Sequence, residues 1–124
     1  MAPDEPLLDM ELLDENAEMG LDGLRELIDL YLAQAGQTLG ELRTAVAAGA
    51  ANDVGQLAHK LAGSSAVCGV VAVTSSLREI ERCGCEGRLS EIDPLLVETE
   101  QRLELCRRLL ADYLAEKEKT PHAV

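Results

Sequence analysis

The sequence predicts an all-helical fold in which the helices pack as a bundle, and three observations carry that prediction. Hydrophobic residues make up 47% of the 124 residues but aromatic residues only 2%, so the core must consist of aliphatic side chains, which suit packed helices. Segments with the alternating polarity of β-strands are missing. Near the carboxyl end, apolar positions step by four and three along a heptad seam, which is typical of helices packed nearly antiparallel in a four-helix bundle. The seam comprises Ile92, Leu96, Thr99, Leu103, Cys106, Leu110 and Tyr113.

The first two helices are predicted from capping and periodicity. A short helix runs from Asp9, whose carboxylate caps it, to Met19, and Gly20 interrupts the chain after it. A long helix then runs from Asp22 to about Ala48, because apolar residues recur at three- and four-residue steps and form one buried face. These residues are Leu24, Ile28, Tyr31, Ala35, Leu42 and Val46.

The remaining three helices are delimited by capping side chains and by glycines, which favour the left-handed backbone that ends a helix. The third helix is predicted to follow a cap at Asn52 or Asp53 and to end at Gly69. The fourth helix starts at Val70 and is stopped by Gly84 and Gly87. Ser90 caps the fifth helix, and Pro94 is tolerated in its first turn.

One domain is expected from this length. We assign residues 1–8 to an N-terminal extension, 9–118 to the helical bundle and 119–124 to a polar C-terminal tail. The tail contains His122, for which we expect no function.

The charge balance excludes several classes of partner. The formal net charge is −12, without a basic stripe, which disfavours nucleic acid and anionic membrane surfaces. No stretch is long and apolar enough to span a membrane, and the acidic start of the sequence lacks the basic region of a signal peptide. A cytoplasmic protein is therefore expected.

Four cysteines, at positions 68, 83, 85 and 106, raise the alternatives of a disulfide, a metal site or a redox site. Cytoplasmic residence favours free thiols. Cys83 and Cys85 form a C-x-C pair without a second pair, whereas Cys68 and Cys106 fall on apolar stripes. We therefore interpret the cysteines mainly as small hydrophobic residues and retain a redox or metal module as the minor alternative.

The main candidate for function is His59. On a wheel of about 100° per residue, it points away from the apolar side of the third helix, so it should be exposed. Small residues surround it, and Gly63 within a helix costs about 1 kcal/mol relative to alanine, which indicates that another helix or a separate protein approaches closely. We favour a separate protein, because burying His59 together with Gln56 would require partners for both. The small neighbours are Gly55, Ala62, Gly63 and Ala66.

An exposed imidazole among small residues suits phosphoryl transfer, because its free ring nitrogen is a nucleophile and the donor must come within roughly 3–3.5 Å. A metal site is disfavoured, since positions 55, 56, 62 and 63 offer no ligands. A Ser–His hydrolase is disfavoured because Ser64 projects about 140° away from His59 on the wheel and no acid is placed to orient the ring.

The stretch AHKLAGSSAVCG (residues 58–69) resembles the histidine-containing phosphotransfer (HPt) domains of bacterial phosphorelays. The likeness extends to the preceding helix, LRELIDLYLAQAGQTLGELRTAVAAG, and to the following one, SSLREIERCGCEG, and residues 9–115 fit the plan of the family. The resemblance implies a four-helix up-and-down antiparallel bundle with an additional short N-terminal helix.

The resemblance also implies a phosphocarrier without an ATP site or kinase activity, on which His59 exchanges a phosphoryl group with aspartates of response-regulator receiver domains. A hybrid histidine kinase is a further expected partner. The chain itself should bind no cofactor, because the receiver domain supplies Mg²⁺.

One position departs from the family pattern. A Lys or Arg usually follows the histidine by three residues and balances the charge of the phosphoryl group, but this sequence has Ala62. We expect Lys60 and Gln56 to assist instead, Gly63 to clear space, and Gly55, Ala62 and Ala66 to form the partner surface. The alternative is an HPt-like module that binds a receiver or kinase without carrying phosphate.

Overall fold

A computed structural model describes residues 7–119, and within this range it contains five α-helices and no strand. The helices are α1 (Met10–Met19), α2 (Leu21–Ala47), α3 (Ala51–Val67), α4 (Val71–Cys85) and α5 (Ile92–Lys119), with a short 3₁₀-helix at Leu89–Glu91. Helices α2 to α5 form a four-helix up-and-down bundle and α1 packs against it, as predicted. None of the described helices is long and apolar enough to cross a membrane.

Two of the predicted helix caps are wrong. Helix α3 begins after Ala50 without a side-chain cap, so Asn52 and Asp53 lie inside its first turn. The reason is the tight turn at Gly49, which has a φ of 70°. After this turn the chain is helical from Ala51 onward, before the predicted caps are reached. Ser90 lies within the 3₁₀-helix that leads into α5 and is not its cap.

The other boundary signals act largely as predicted. The Asp9 carboxylate accepts a hydrogen bond from the backbone N–H of Leu12 at 3.1 Å and caps α1. Gly69 and Gly87 have φ values of 74° and 72° and end α3 and α4. Gly84, in contrast, is part of α4 rather than its end.

The heptad seam of α5 faces the core, where all of its residues are buried except Leu103, which is partly buried. Burial also begins earlier in the chain than the predicted bundle boundary at residue 9. Leu8 is buried in the core, and the Leu7 carbonyl accepts a hydrogen bond from the backbone N–H of Ala72. Residues 1–6 and 120–124, and with them the predicted tail residue His122, lie outside the described residues.

Buried polar side chains are paired across the helices. Tyr31 of α2 and Ser65 of α3 share a hydrogen bond of 2.6 Å, and the hydroxyls of Thr99 and Ser76 are 2.9 Å apart. No buried side-chain nitrogen or oxygen of residues 7–119 is left without a hydrogen-bond partner. These pairs fix how α3 and α4 are rotated against the long helices.

Helices α3 and α4 approach each other through two glycines. A Cβ added to Gly84 would lie 2.8 Å from the backbone nitrogen of Gly55 and 3.1 Å from the carbonyl oxygen of Ala51. The two backbones are therefore too close for any side chain at position 84. This contact sets the register of α3 against α4, and thereby decides which α4 side chains stand beside α3.

Candidate functional site

His59 lies on the outer surface of α3, and 68% of its side chain is exposed. The wheel prediction of an exposed histidine is confirmed. The ring is nevertheless held on one side, because its Nδ1 atom is 2.8 Å from Oε2 of Glu81, which projects from α4. An orienting acid is therefore present, and the prediction that none is placed to orient the ring is wrong.

The protonation of Glu81 determines which tautomer His59 adopts. Partial burial opposes ionisation of Glu81, but the hydrogen bonds from His59 and Arg78 outweigh it and lower its pKa below the usual value. An ionised carboxylate can only accept hydrogen bonds, so Nδ1 must donate its proton to Glu81. In the neutral ring, the lone pair then resides on Nε2, as the two nitrogens divide the donor and acceptor roles.

Arg78 completes a three-residue cluster around the ring. Its Nη1 atom donates to Oε1 of Glu81 at 3.1 Å and lies 3.4 Å from Nδ1 of His59. Because the Nδ1 proton is directed at Glu81, the Arg78 contact with the ring is an approach of positive charge rather than a second strong hydrogen bond. Glu81 thus holds the imidazole with one oxygen and the guanidinium with the other.

A shallow groove of about 510 Å³ runs along the α3–α4 contact and opens beside the histidine. The groove is lined by Ala51, Asn52, Gly55, Gln56, His59, Glu81, Gly84 and Cys85. The exposed ring stands at the groove edge, so a partner that reaches Nε2 also meets Gln56.

The four small residues predicted to face a partner divide into two pairs. Gly55 and Ala62 are buried, so their assignment to the partner surface is wrong. Helix α3 packs against both α2 and α4, and its buried arc is therefore wider than the apolar stripe on the wheel. Ala66 is exposed, and a Cβ at Gly63 would meet nothing within 4 Å, so these two positions do leave open space.

The polar residues predicted to assist the histidine are both exposed, but they differ in position. Gln56 lines the groove with His59, one turn earlier on α3. Lys60 forms no ion pair with any described residue, and the structure does not bring it into hydrogen-bond contact with the ring. The Ser64 hydroxyl donates a hydrogen bond to the Lys60 carbonyl oxygen at 3.3 Å, as expected for a serine within a helix, and not to His59.

Glu81 and Arg78 are site residues that no local sequence pattern predicts. Their spacing of three residues indicates an ion pair on one face of α4, which is a common surface feature. The missing information was the register of α4 against α3. The Gly84 position in the sequence was a usable signal, because a glycine that lies inside a helix often marks a close helix contact.

The cysteines fit the interpretation as hydrophobic residues for the most part. Cys68, Cys83 and Cys106 are buried, Cys85 is exposed, and all four are free thiols. Burial raises the pKa of the Cys68 thiol and raises that of Cys106 to about 11, which keeps both protonated at neutral pH. Among residues 7–119, no group of three or more potential ligands could hold a metal ion.

Comparison with known proteins identifies the family. The family model of the Hpt domain matches residues 26–118. Among solved structures, the chain is similar to histidine-containing phosphotransfer protein B (HptB) from Pseudomonas aeruginosa PAO1, with a TM-score of 0.83 and 25% sequence identity. The match covers 94% of this chain and 98% of that one. No significant match is found among curated proteins.

The Hpt match spans most of the chain and agrees with the helical architecture and with the resemblance inferred from residues 58–69. Proteins of this family are phosphocarriers rather than kinases, and they work with receiver domains or kinases in phosphorelays. The chain belongs to the Hpt domain family and is a histidine phosphotransfer protein.

Proposed function

We propose that Nε2 of His59 accepts a phosphoryl group from the phosphorylated aspartate of one receiver domain and passes it to the aspartate of another. The observation that carries the proposal is the 2.8 Å hydrogen bond between Nδ1 and Glu81 on a ring that is 68% exposed. It assigns the proton to the inner nitrogen and leaves the outer one as the nucleophile.

The transfer step balances without a further reactant. The lone pair of Nε2 attacks phosphorus, the bond from phosphorus to the aspartate oxygen breaks, and the donor aspartate leaves as a carboxylate. The proton on Nδ1 stays in place, so the phosphorylated ring carries a positive charge. Glu81, which is ionised and in hydrogen-bond contact with Nδ1, stabilises that charge. The reverse step returns the phosphoryl group to a second aspartate.

The charge distribution of the chain favours an acidic partner at this place. Residues 51–85, which carry α3 and α4, contain three of the 23 acidic residues and three of the 11 basic residues. The whole formal charge of −12 therefore falls outside this segment. An acidic pocket of a receiver domain would meet an electrically balanced surface at His59 instead of strong repulsion.

The space around the ring supports close approach as well. Ala66 is exposed, and there is open space at Gly63, one turn after the histidine on α3. We infer that these two positions, together with Gln56, form the part of the partner surface closest to the reacting atoms. Lys60 is exposed nearby and could contribute charge only through its flexible stem.

A second function is favoured by one observation. Ala62 is fully buried and places no charge beside His59, so α3 lacks the base that the family usually has there. An Hpt-like module that binds a receiver or a kinase without carrying phosphate would need no such base.

Three further expectations belong to this proposal. The chain requires no cofactor of its own, because Mg²⁺ is held by the receiver domain. A hybrid histidine kinase is a candidate source of the phosphoryl group. The cytoplasmic location expected from the sequence also stays a prediction.

Transfer from radiolabelled, phosphorylated receiver domains tests the proposal. We expect the full chain to acquire label that is labile to acid and stable to base, and His59→Gln to acquire none. His122→Gln is the matched control, since it removes the second histidine of the sequence and should leave labelling unchanged. Label on His59→Gln would refute the assignment, and binding of receivers without label on the unaltered chain would favour the binding-only module.

A further inference from the structure

We propose that Arg78 of α4 supplies the positive charge that pairs with the phosphoryl group on His59. This inference rests on the proposed function. It places the cation on the helix after the histidine helix, rather than on the histidine helix itself.

The need for a cation follows from the charge of the group transferred. A phosphoryl group brings nearly two negative charges at neutral pH, and the ionised Glu81 is already in contact with the ring. Position 62 cannot provide the counter-charge, because Ala62 is fully buried against the neighbouring helices. Lys60 is the one basic residue of α3, and the structure does not bring it into hydrogen-bond contact with the ring, so the positive charge that contacts the ring lies on α4.

Arg78 is the basic residue that the described structure brings to the ring. Its Nη1 atom is 3.4 Å from Nδ1. The reactive Nε2 belongs to the same five-membered ring, so Arg78 is close to it as well. About half of the Arg78 side chain is exposed, so the guanidinium can shift toward the outer nitrogen without displacing the core. By contrast, Arg82, one turn further along α4, is bound to both carboxylate oxygens of Glu79.

Glu81 holds the Arg78 guanidinium beside the imidazole ring of His59. A guanidinium has five N–H donors in a planar fork, so Arg78 can retain its bond to Oε1 of Glu81 and direct other donors at phosphoryl oxygens. The bond between Nδ1 and Oε2 is unaffected by that shift. One carboxylate therefore orients the nucleophile and positions the cation together.

Arginine variants of the full chain test this assignment. The measurements are the initial rate of transfer from a phosphorylated receiver domain and the final distribution of phosphate between receiver and chain. We expect Arg78→Gln to slow transfer about tenfold and to shift the distribution toward the receiver. Arg78→Lys, which keeps the charge, should recover most of both. Arg82→Gln is the matched control, since it removes the same charge from the same helix, and should leave both unchanged.

A nuclear magnetic resonance measurement excludes a merely structural role. If Arg78 acts on the phosphoryl group, the proton on Nδ1 of His59 should persist in Arg78→Gln, because Glu81 still accepts it. Loss of that proton would mean that Arg78 only positions Glu81, and the assignment would be overturned.

The remaining outcomes separate this inference from the proposed function. Transfer by Arg78→Gln at the rate of Arg82→Gln, or failure of Arg78→Lys to recover any activity, overturns the role of Arg78 while labelling of His59 stands. Absence of label on the unaltered chain, or label on His59→Gln, overturns both, since Arg78 then has no phosphoryl group on His59 to pair with.

Discussion

The α3–α4 pair and the α2–α5 pair contain the same types of residue but differ in length, in charge and in how closely the two helices approach. Helices α2 and α5 are 27 and 28 residues long, carry 11 of the 23 acidic residues and are joined by exposed ion pairs such as Arg25–Glu118 and Arg43–Glu100. Helices α3 and α4 are 17 and 15 residues long, have balanced charge and meet backbone to backbone. Only the second pair brings side chains of two helices together around a reactive group.

The difference shows what close packing contributes to function. Exposed ion pairs between long helices are worth little, because water and salt screen them. The contact at Gly84, in contrast, admits a single register, and that register decides that Glu81 and Arg78 stand beside His59. The long helices act as the scaffold, and the short pair positions the chemistry.

The largest effect is expected from removing the acid that orients the ring. Glu81→Ala should slow phosphoryl transfer about thirtyfold, since a hydrogen bond to a charged group contributes roughly 2 kcal/mol. The measurement is the initial rate of transfer from a phosphorylated receiver. Glu79→Ala on the same helix is the control, because Glu79 pairs with Arg82 and does not contact His59. Equal rates for the two variants would contradict the positioning role.

The next effect tests the register itself. Gly84→Ala should lower the free energy of unfolding by about 1–2 kcal/mol, because the new Cβ clashes with the α3 backbone by more than the gain in helix propensity compensates. Gly40→Ala in α2 should instead raise it by up to about 1 kcal/mol, since nothing lies within 4 Å of the added Cβ. Urea titration measures both. A Gly84→Ala variant as stable as Gly40→Ala would show that the close contact is not tight.

The smallest effect tests whether the open space at Gly63 serves the approach of a receiver domain rather than the packing of the helices. Gly63→Gln should leave the stability unchanged or higher, because the site is open, yet slow transfer about fivefold by obstructing the approaching receiver. Gly36→Gln, on the exposed surface of α2, should match it in stability without slowing transfer. Unimpaired transfer by Gly63→Gln would move the partner surface away from this part of α3.

The comparison also explains which features could be predicted from the sequence. Periodicity and glycines predict the helices and the outward direction of His59, because both are properties of one segment at a time. The helical wheel predicted Gly55 and Ala62 to be exposed, but both are buried. A wheel shows the apolar stripe of one helix and does not show how many neighbouring helices pack beside that stripe. Glu81 was missed because its role depends on the packing of two helices, which no local pattern of charges defines.

The nitrogen of His59 that bonds to phosphorus distinguishes a ring oriented by Glu81 from one that is not. Nδ1 donates its proton in a hydrogen bond to Glu81, so Nε2 is left to accept the phosphoryl group. Nuclear magnetic resonance of the phosphorylated chain, with ¹⁵N-labelled histidine, identifies the nitrogen bonded to phosphorus. We expect phosphorus on Nε2 of His59 with the proton retained on Nδ1. Phosphorus on Nδ1 would contradict the account, because that nitrogen would then have lost its bond to Glu81.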